Sequence, residues 1–244
     1  MIGVILAAGN GTRLNNSTGE VSCKALRKVA GKHLIEFALD NLIKLNIDKV
    51  CIVVGQEGNL IKDTVGYGYR GLEISYVFQK QQKGLINALM QAIDFIGKNE
   101  DIVLQLADEI LIGFKSENIK SAISDNFIDF HCGVTYEEDA QKIKNNFSVE
   151  IYGDSIIQKC TEKPKVTVNN IKGTGFCVFK GSALDLLKNI YDEDKNTPND
   201  LCDYMNKLIE NGNKGKILVV AEKEFNINTA ADLEEAKNFL EEDL

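Results

Sequence analysis

The chain has 244 residues and 44% apolar content, enough to bury one large α/β core. Its 28 basic and 36 acidic residues give a net charge of −8, which argues against nucleic acid or an anionic membrane as a general partner. The six cysteines (Cys23, Cys51, Cys132, Cys160, Cys177, Cys202) are widely spaced and form no C-x-x-C pair, and neither a signal peptide nor an apolar run of about 20 residues is evident. The expectation is a reduced, cytoplasmic chain with buried thiols.

Residues 2–6 are an unbroken apolar run, the pattern of a buried parallel strand. The run passes from Leu6 through Ala7 and Ala8 to Gly9, with Gly11, Thr12 and Arg13 following. Small residues let a backbone approach a ligand closely, and Gly9 and Gly11 allow a tight turn that aims N–H groups into one concavity. Arg13 adds a fixed positive fork, so the stretch reads as a phosphate-binding loop. It is not a dinucleotide fingerprint, because Leu14 stands where a third glycine is required and the next strand ends only at Val54. Nor is it a P-loop, because Gly11-Thr12-Arg13 lacks Gly-Lys followed by Ser or Thr.

Residues 15–22 have the composition of a mobile loop leading to Lys24. Apolar side chains at helical spacing predict a helix over 33–45, with His33 in its first turn, before a second strand over 49–54. A short helix over 57–65, a strand over 72–78 and an amphipathic helix over 85–96 follow. The link between the last two is too polar for a core. Its Gln79 offers a donor and an acceptor together, as a pyrimidine edge requires, and Gly84 lets the backbone come close. After a fourth strand over 102–106, Asp108 stands just past the carboxyl end, where open α/β sheets bind ligands and where Mg²⁺ favours a carboxylate. Glu109 points the opposite way and reads as an auxiliary or solvated charge.

The pattern then changes. A helix over 116–124 and a strand over 129–137 precede a hairpin of 147–152 and 155–160 around Gly153-Asp154. A strand over 172–179, helices over 182–190 and 200–210, a strand over 216–221 and a helix over 229–240 complete the chain, the last capped by Thr229 with Asp232. The fold class is α/β: one domain with a Rossmann-like first half, a mostly parallel central sheet and a small antiparallel region at about 129–180.

The stretch L-A-A-G-N-G-T-R-L resembles the signature of the sugar-1-phosphate nucleotidylyltransferases, and the likeness continues in order from Gly3 to Ala236. The resemblance implies a nucleotide-diphospho-sugar transferase fold, with a nucleotide half at about 1–112 and a sugar-phosphate half at about 113–244. It places Leu6, Ala7, Ala8, Gly9, Gly11, Thr12 and Arg13 on the nucleotide, together with Gln79 and Gly84 of a Gln-x4-Gly-Leu base-reading loop. Lys24, in Cys23-Lys24-Ala25-Leu26, matches a phosphate-binding Pro-Lys-x-Leu without its proline. Asp108 and Asn226 become the Mg²⁺ ligands, Ala107 replacing the glycine usual before the aspartate. Glu162-Lys163-Pro164, Thr174-Gly175-Phe176 and Phe147-Ser148-Val149 match the elements that hold the sugar phosphate, with Ser148 in place of glycine.

The implied reaction joins a nucleoside triphosphate, dTTP or UTP before CTP, to a sugar 1-phosphate, with Arg13, Lys24 and Lys163 as the catalytic cations. Those two substrates are the implied partners, and a homo-oligomer is left open. The alternatives are a cytidylyltransferase acting on a non-sugar phosphate such as phosphocholine or a phosphonate, a catalytically silent nucleotide-sugar sensor, and a dinucleotide-dependent oxidoreductase.

Overall fold

The first strand, β1 (Ile2–Ala7), sends alternate side chains to opposite faces of a sheet, and both sets are buried: Val4 and Leu6 on one side, Ile5 and Ala7 on the other. Burial on both faces is why its apolar run has no alternation. The structure is a computed structural model that describes all residues except 10, 20–22, 193–194, 196 and 243–244, and all described side chains except that of Glu242.

Between β1 and β4 (Lys49–Val54) lie α1 (Thr12–Thr18), a 3₁₀ turn (Lys24–Leu26), the small hairpin β2 (Lys28–Val29) and β3 (Lys32–His33), and α2 (Leu34–Lys44). Then come α3 (Gly58–Val65), β5 (Gly68–Tyr69), β6 (Leu72–Phe78), α4 (Leu85–Ile96), β7 (Ile102–Leu106), β8 (Glu109–Ile112) and α5 (Ser116–Ile123). The second half holds β9 (Phe130–Tyr136), α6 (Ala140–Asn145), β10 (Phe147–Tyr152), β11 (Ile156–Glu162) and β12 (Ile171–Phe179). It ends with α7 (Gly181–Ile190), α8 (Leu201–Glu210), β13 (Gly215–Val219), β14 (Lys223–Asn226) and α9 (Ala230–Glu242).

Ten strands form the central sheet in the order β10-β11-β13-β9-β12-β7-β1-β4-β6-β5. β7, β1, β4 and β6 are parallel neighbours, the Rossmann-like arrangement expected of the first half. The antiparallel strands extend the same sheet. β12 joins β7 antiparallel, with Val178 opposite Val103, and carries β9, β13, β11 and β10 into the same sheet. Apolar clusters cover both faces of this sheet, and a third, built on Leu14, Val29, Leu34, Ile110, Phe225 and Ile227, packs α1 and α9 against the β8–β14 pair. No helix among the described residues is long and apolar enough to cross a membrane, and all six cysteines are buried and free.

Three local expectations change. The stretch expected to be a mobile loop is helical as far as Thr18, because Leu14 is fully buried in the third cluster and Gly19, at φ 71°, closes the helix by donating its N–H to the Asn15 carbonyl; residues 20–22 lie outside the described part. His33 sits one step before α2, where Glu36 Oε2 accepts from its backbone N–H at 2.7 Å. Glu109 is buried rather than solvated, because it opens β8 and is covered by β14 and β12. Burial, then the neighbouring Glu224 and Asp108, push its carboxyl well above the usual range, and its two oxygens accept from the Gly175 N–H at 2.8 Å.

Candidate active site

β14 is what brings the distant acids and amides together. It pairs antiparallel with β8, Asn226 opposite Glu109, and Ile227 extends the ladder by donating its N–H to the Asp108 carbonyl at 2.9 Å. Asp108 therefore stands beside the 226–228 turn at the carboxyl end of β7. The same turn caps α9, because Asp232 Oδ2 accepts from the Asn228 and Thr229 N–H groups at 2.8 and 2.7 Å.

Asn228 is the hub of the polar groups. Its Oδ1 accepts from Arg13 Nη2 at 2.8 Å and from Lys24 Nζ at 3.1 Å, while its Nδ2 donates to Asn226 Oδ1 at 2.7 Å. Lys24 also pairs with Asp108, and Asn226 Nδ2 donates to Asn146 Oδ1 at 3.1 Å. Arg13, Lys24, Asp108 and Asn226, four residues singled out in the sequence, thus meet through one that was not. Gly11 makes the approach possible: it precedes α1 at φ 60°, and a Cβ there would lie 3.0 Å from Lys24 Cβ. Thr12 is the first residue of α1.

Two cavities flank this cluster. The first, about 380 Å³, is lined by Leu6, Ala8, Gly9, Gln79, Gln82, Gly84, Leu85, Ala88, Leu106 and Asp108. Ala7 points to the other face of the sheet. Gln79 is buried, and its Nε2 donates to the Gly84 carbonyl at 3.0 Å and to Asn87 Oδ1 at 2.9 Å. Both amide hydrogens are therefore engaged, and the side chain has only Oε1 left for a ligand, not the donor and acceptor together that the sequence suggested. Asn87 is itself oriented by donating to the Tyr191 hydroxyl at 3.1 Å. Gly84 adopts φ 98°, a conformation that strains any L side chain, and a Cβ on it would also push Asn199 Oδ1, 2.5 Å away, aside.

The second cavity, about 360 Å³, is charged, its lining including Arg13, Lys142, Lys144, Lys163, Lys172, Glu224, Asn226 and Asn228. Lys163 is 63% exposed, 3.2 Å from Glu162, and holds φ 44° ahead of Pro164, a strained backbone fixed by its N–H donating to the Asn146 carbonyl at 2.7 Å. Burial raises the Glu162 carboxyl above its usual range, with Lys163 pulling it back. Ser148 and Thr174 are buried and lie outside the lining of both cavities. The Thr174 hydroxyl donates to the Gly133 carbonyl at 3.1 Å and accepts from the Phe176 N–H at 3.2 Å, so its bonds are made within the sheet.

Residues 2–242 match a family model named nucleotidyl transferase. The chain is a member of the nucleotidyl transferase family. It is 33% identical over 180 residues to the UTP–glucose-1-phosphate uridylyltransferase AglF of Haloferax volcanii, covering 73% of this chain and 72% of that protein. Likeness to a glucose-1-phosphate thymidylyltransferase of Streptomyces griseus, at 34% identity, covers 49% of this chain and spans only 34% of that longer protein. A UDP-glucose pyrophosphorylase solved with UDP-glucose superimposes with a TM-score of 0.82 over 100% of this chain and 99% of its own, at 19% identity, which speaks for the fold.

In this nucleotidyl transferase, no group of three or more His, Cys, Asp or Glu among the described residues is arranged to hold a metal. The oxygens present nonetheless suit Mg²⁺, which takes one or two protein ligands and completes its shell with water and substrate phosphates. Asp108, its side chain 26% exposed, offers one carboxylate, and the Asn226 amide oxygen is linked to it through Asn228 and Lys24. Asn228 and Gln82 were missed from the sequence. Asn228 carried a signal in the Asn-x-Asn-Thr run, whereas Gln82, whose Nε2 donates to the Ala8 carbonyl at 2.9 Å, carried none beyond its place in the polar link.

Proposed function

We propose that this nucleotidyl transferase couples a nucleoside triphosphate, dTTP or UTP first, to a sugar 1-phosphate, forming a nucleoside-diphosphate sugar and pyrophosphate with Mg²⁺. The observation that carries the reading is the meeting of Arg13, Lys24, Asp108 and Asn226 through Asn228 at the seam of the two cavities. The name of the H. volcanii relative supports UTP and glucose 1-phosphate as the first substrates to try. On this reading the apolar cavity takes the nucleoside and the charged cavity takes the acceptor, in keeping with the division at about residue 112.

A phosphate oxygen of the acceptor attacks the α-phosphorus, and the bond to the β-phosphate oxygen breaks, so that pyrophosphate leaves with the bonding pair. The acceptor's second pKa is about 6, so the nucleophile is already charged at neutral pH and needs no general base. That suits a chain with two histidines, of which His33 precedes α2 and His131 is buried in β9. The protein's task is alignment and charge neutralisation. Arg13 and Lys24 hold the triphosphate, and Lys163 draws in the acceptor phosphate. Mg²⁺, held by Asp108 and Asn226, would supply charge neutralisation along the phosphates. Gln79 Oε1 accepts from the imide N–H of uracil or thymine.

The test is a matrix of five triphosphates against hexose 1-phosphates, phosphocholine and a phosphonate, scored by pyrophosphate release with Mg²⁺. UTP or dTTP with a hexose 1-phosphate is expected to lead. Preference for CTP with phosphocholine would overturn the sugar assignment, and silence with every pair would favour a sensor.

A further inference from the structure

The floor of the charged cavity holds an ion pair that the reaction as described does not use. Lys172 and Glu224 have side chains only 2% and 1% exposed, and Lys172 Nζ lies 2.6 Å from Glu224 Oε2, with Glu137 Oε2 at 3.6 Å. Neither Glu224 oxygen has a well-aligned hydrogen bond, although both residues line the cavity. A buried ion pair contributes little stability compared with an apolar pair of the same volume, whereas an unsatisfied buried carboxylate oxygen is costly. Such a group is better matched to a ligand that completes it.

Its position says which part of a ligand that is. Glu224 and Asn226 are two apart on β14 and so share a face, about 7 Å apart along the strand. An acceptor whose phosphate lies at the Asn226, Arg13 and Lys163 end therefore has its body over Glu224, with Lys172 of β12 beside it. We propose that Lys172 and Glu224 determine acceptor specificity: Glu224 Oε1 accepts from one hydroxyl of the acceptor body and Lys172 Nζ donates to a neighbouring hydroxyl oxygen. This rests on the proposed function and deepens it, because the pair selects a polyhydroxylated acceptor over a quaternary ammonium. An ammonium is held by free aromatic faces. Here the lining includes a single aromatic, Phe225, whose ring is already met by Lys223 Nζ at 4.7 Å and by Phe239 at 5.4 Å. Of the other charges in the lining, Lys142 is paired with Glu235 at 2.7 Å, while Lys144 and Lys163 are further cations and Asp232 a further carboxylate, so charge alone does not make the site one for an ammonium.

The experiment compares the unaltered protein with the double variant K172M/E224M, using the best hexose 1-phosphate of the matrix, glucose 1-phosphate first, and its singly deoxygenated analogues. A site built around a substrate hydroxyl rejects an analogue lacking it. The double variant is expected to melt within a few degrees of the unaltered protein, to raise the acceptor KM at least tenfold with the triphosphate KM within twofold, and to treat parent and deoxy analogue alike. A merely structural pair would leave the acceptor KM and the analogue preference unchanged in a folded double variant, which overturns the proposal. Should the double variant not fold, the unaltered protein decides: KM values within twofold for every deoxy analogue overturn it, and at least a tenfold rise for one upholds it. If the unaltered protein releases pyrophosphate with no hexose 1-phosphate, the sugar reading itself falls; if it does so and only the variant result is negative, the assignment of Lys172 and Glu224 falls alone.

Discussion

The apolar cavity is walled by Leu6, Ala8, Leu85, Ala88 and Leu106, and its amides Gln79 and Gln82 each donate to a fixed protein carbonyl, whereas the neighbouring cavity is walled by Arg13, four lysines and the carboxylates of Glu224, Asp232 and Glu235. An apolar wall with a few pinned polar atoms discriminates by shape and by one or two hydrogen bonds. A charged wall discriminates by charge and by which buried groups are left unsatisfied. Asp108 belongs to the first lining and Asn226 to the second, so chemistry is expected where the two materials meet.

The sharpest way to break this comparison is at that seam. Asp108→Ala removes the carboxylate proposed to hold Mg²⁺ and the partner of Lys24 together. We expect kcat to fall by about 10³-fold, with the triphosphate KM changing far less. A purified, folded variant with unchanged kcat would move the chemistry elsewhere.

A second prediction separates the scaffold from both cavities. His131 lies in β9 between β12 and β13, opposite Val178 and Lys216. Burial pushes its pKa down to about 4, with Lys216 and Lys180 adding to the effect and Asp125 opposing it. In the unfolded chain a histidine protonates near 6.5, so between about 6.5 and 4 the unfolded state binds a proton that the folded state refuses. Stability therefore falls as pH is lowered through this window, by about 2 kcal/mol between pH 7 and pH 5. Urea midpoints at the two pH values measure it, and His131→Gln should remove most of the difference. If it does not, the acid sensitivity does not arise at His131.

Asn228→Ala sharpens the comparison, because the side chain is shared by both cations and by Asn226. Losing hydrogen bonds to charged groups costs about 1.5–3 kcal/mol, so kcat/KM should drop by about 10- to 100-fold for both substrates. A loss confined to one substrate would mean that the hub serves only one cavity.

The two cavities were also unequally legible in the sequence. The apolar one is made largely of short contiguous motifs, residues 6–9 and 79–85, whose glycines and small side chains announce a backbone that must come close to something. The parallel half was equally plain, since two-sided burial leaves an unbroken apolar run. The charged cavity is assembled from Arg13, Asn146, Lys163, Lys172, Glu224 and Asn228, which only the antiparallel addition of β12 and the β8–β14 pair brings together. β14 is four residues long and three of them are polar, so it gave no strand signal, and without it Glu109 read as an auxiliary or solvated charge. α1 was hidden for a related reason: a single buried residue, Leu14, anchors an otherwise polar helix.

The smallest expected effect tests how pinned the amides of the apolar cavity are. Gln79 can discriminate between bases only if its amide cannot turn over, and what stops it is Asn87 Oδ1, which together with the Gly84 carbonyl occupies both hydrogens of Nε2. With Oε1 alone facing a base, uracil or thymine N3–H has an acceptor, while cytosine N3, itself an acceptor, meets a like partner. Asn87→Ala frees one hydrogen and lets the amide turn its NH₂ toward cytosine. A single neutral hydrogen bond is worth about 0.5–1.5 kcal/mol, so the ratio of kcat/KM for UTP over CTP should shrink by about 3- to 10-fold. The acceptor KM should stay where it was, because Asn87 faces Gln79 and Tyr191 and lies outside the lining of the charged cavity. A UTP-to-CTP ratio unmoved in Asn87→Ala would show that the pyrimidine is selected by the shape of the apolar wall, with Gln79 serving only to hold Gly84 in place.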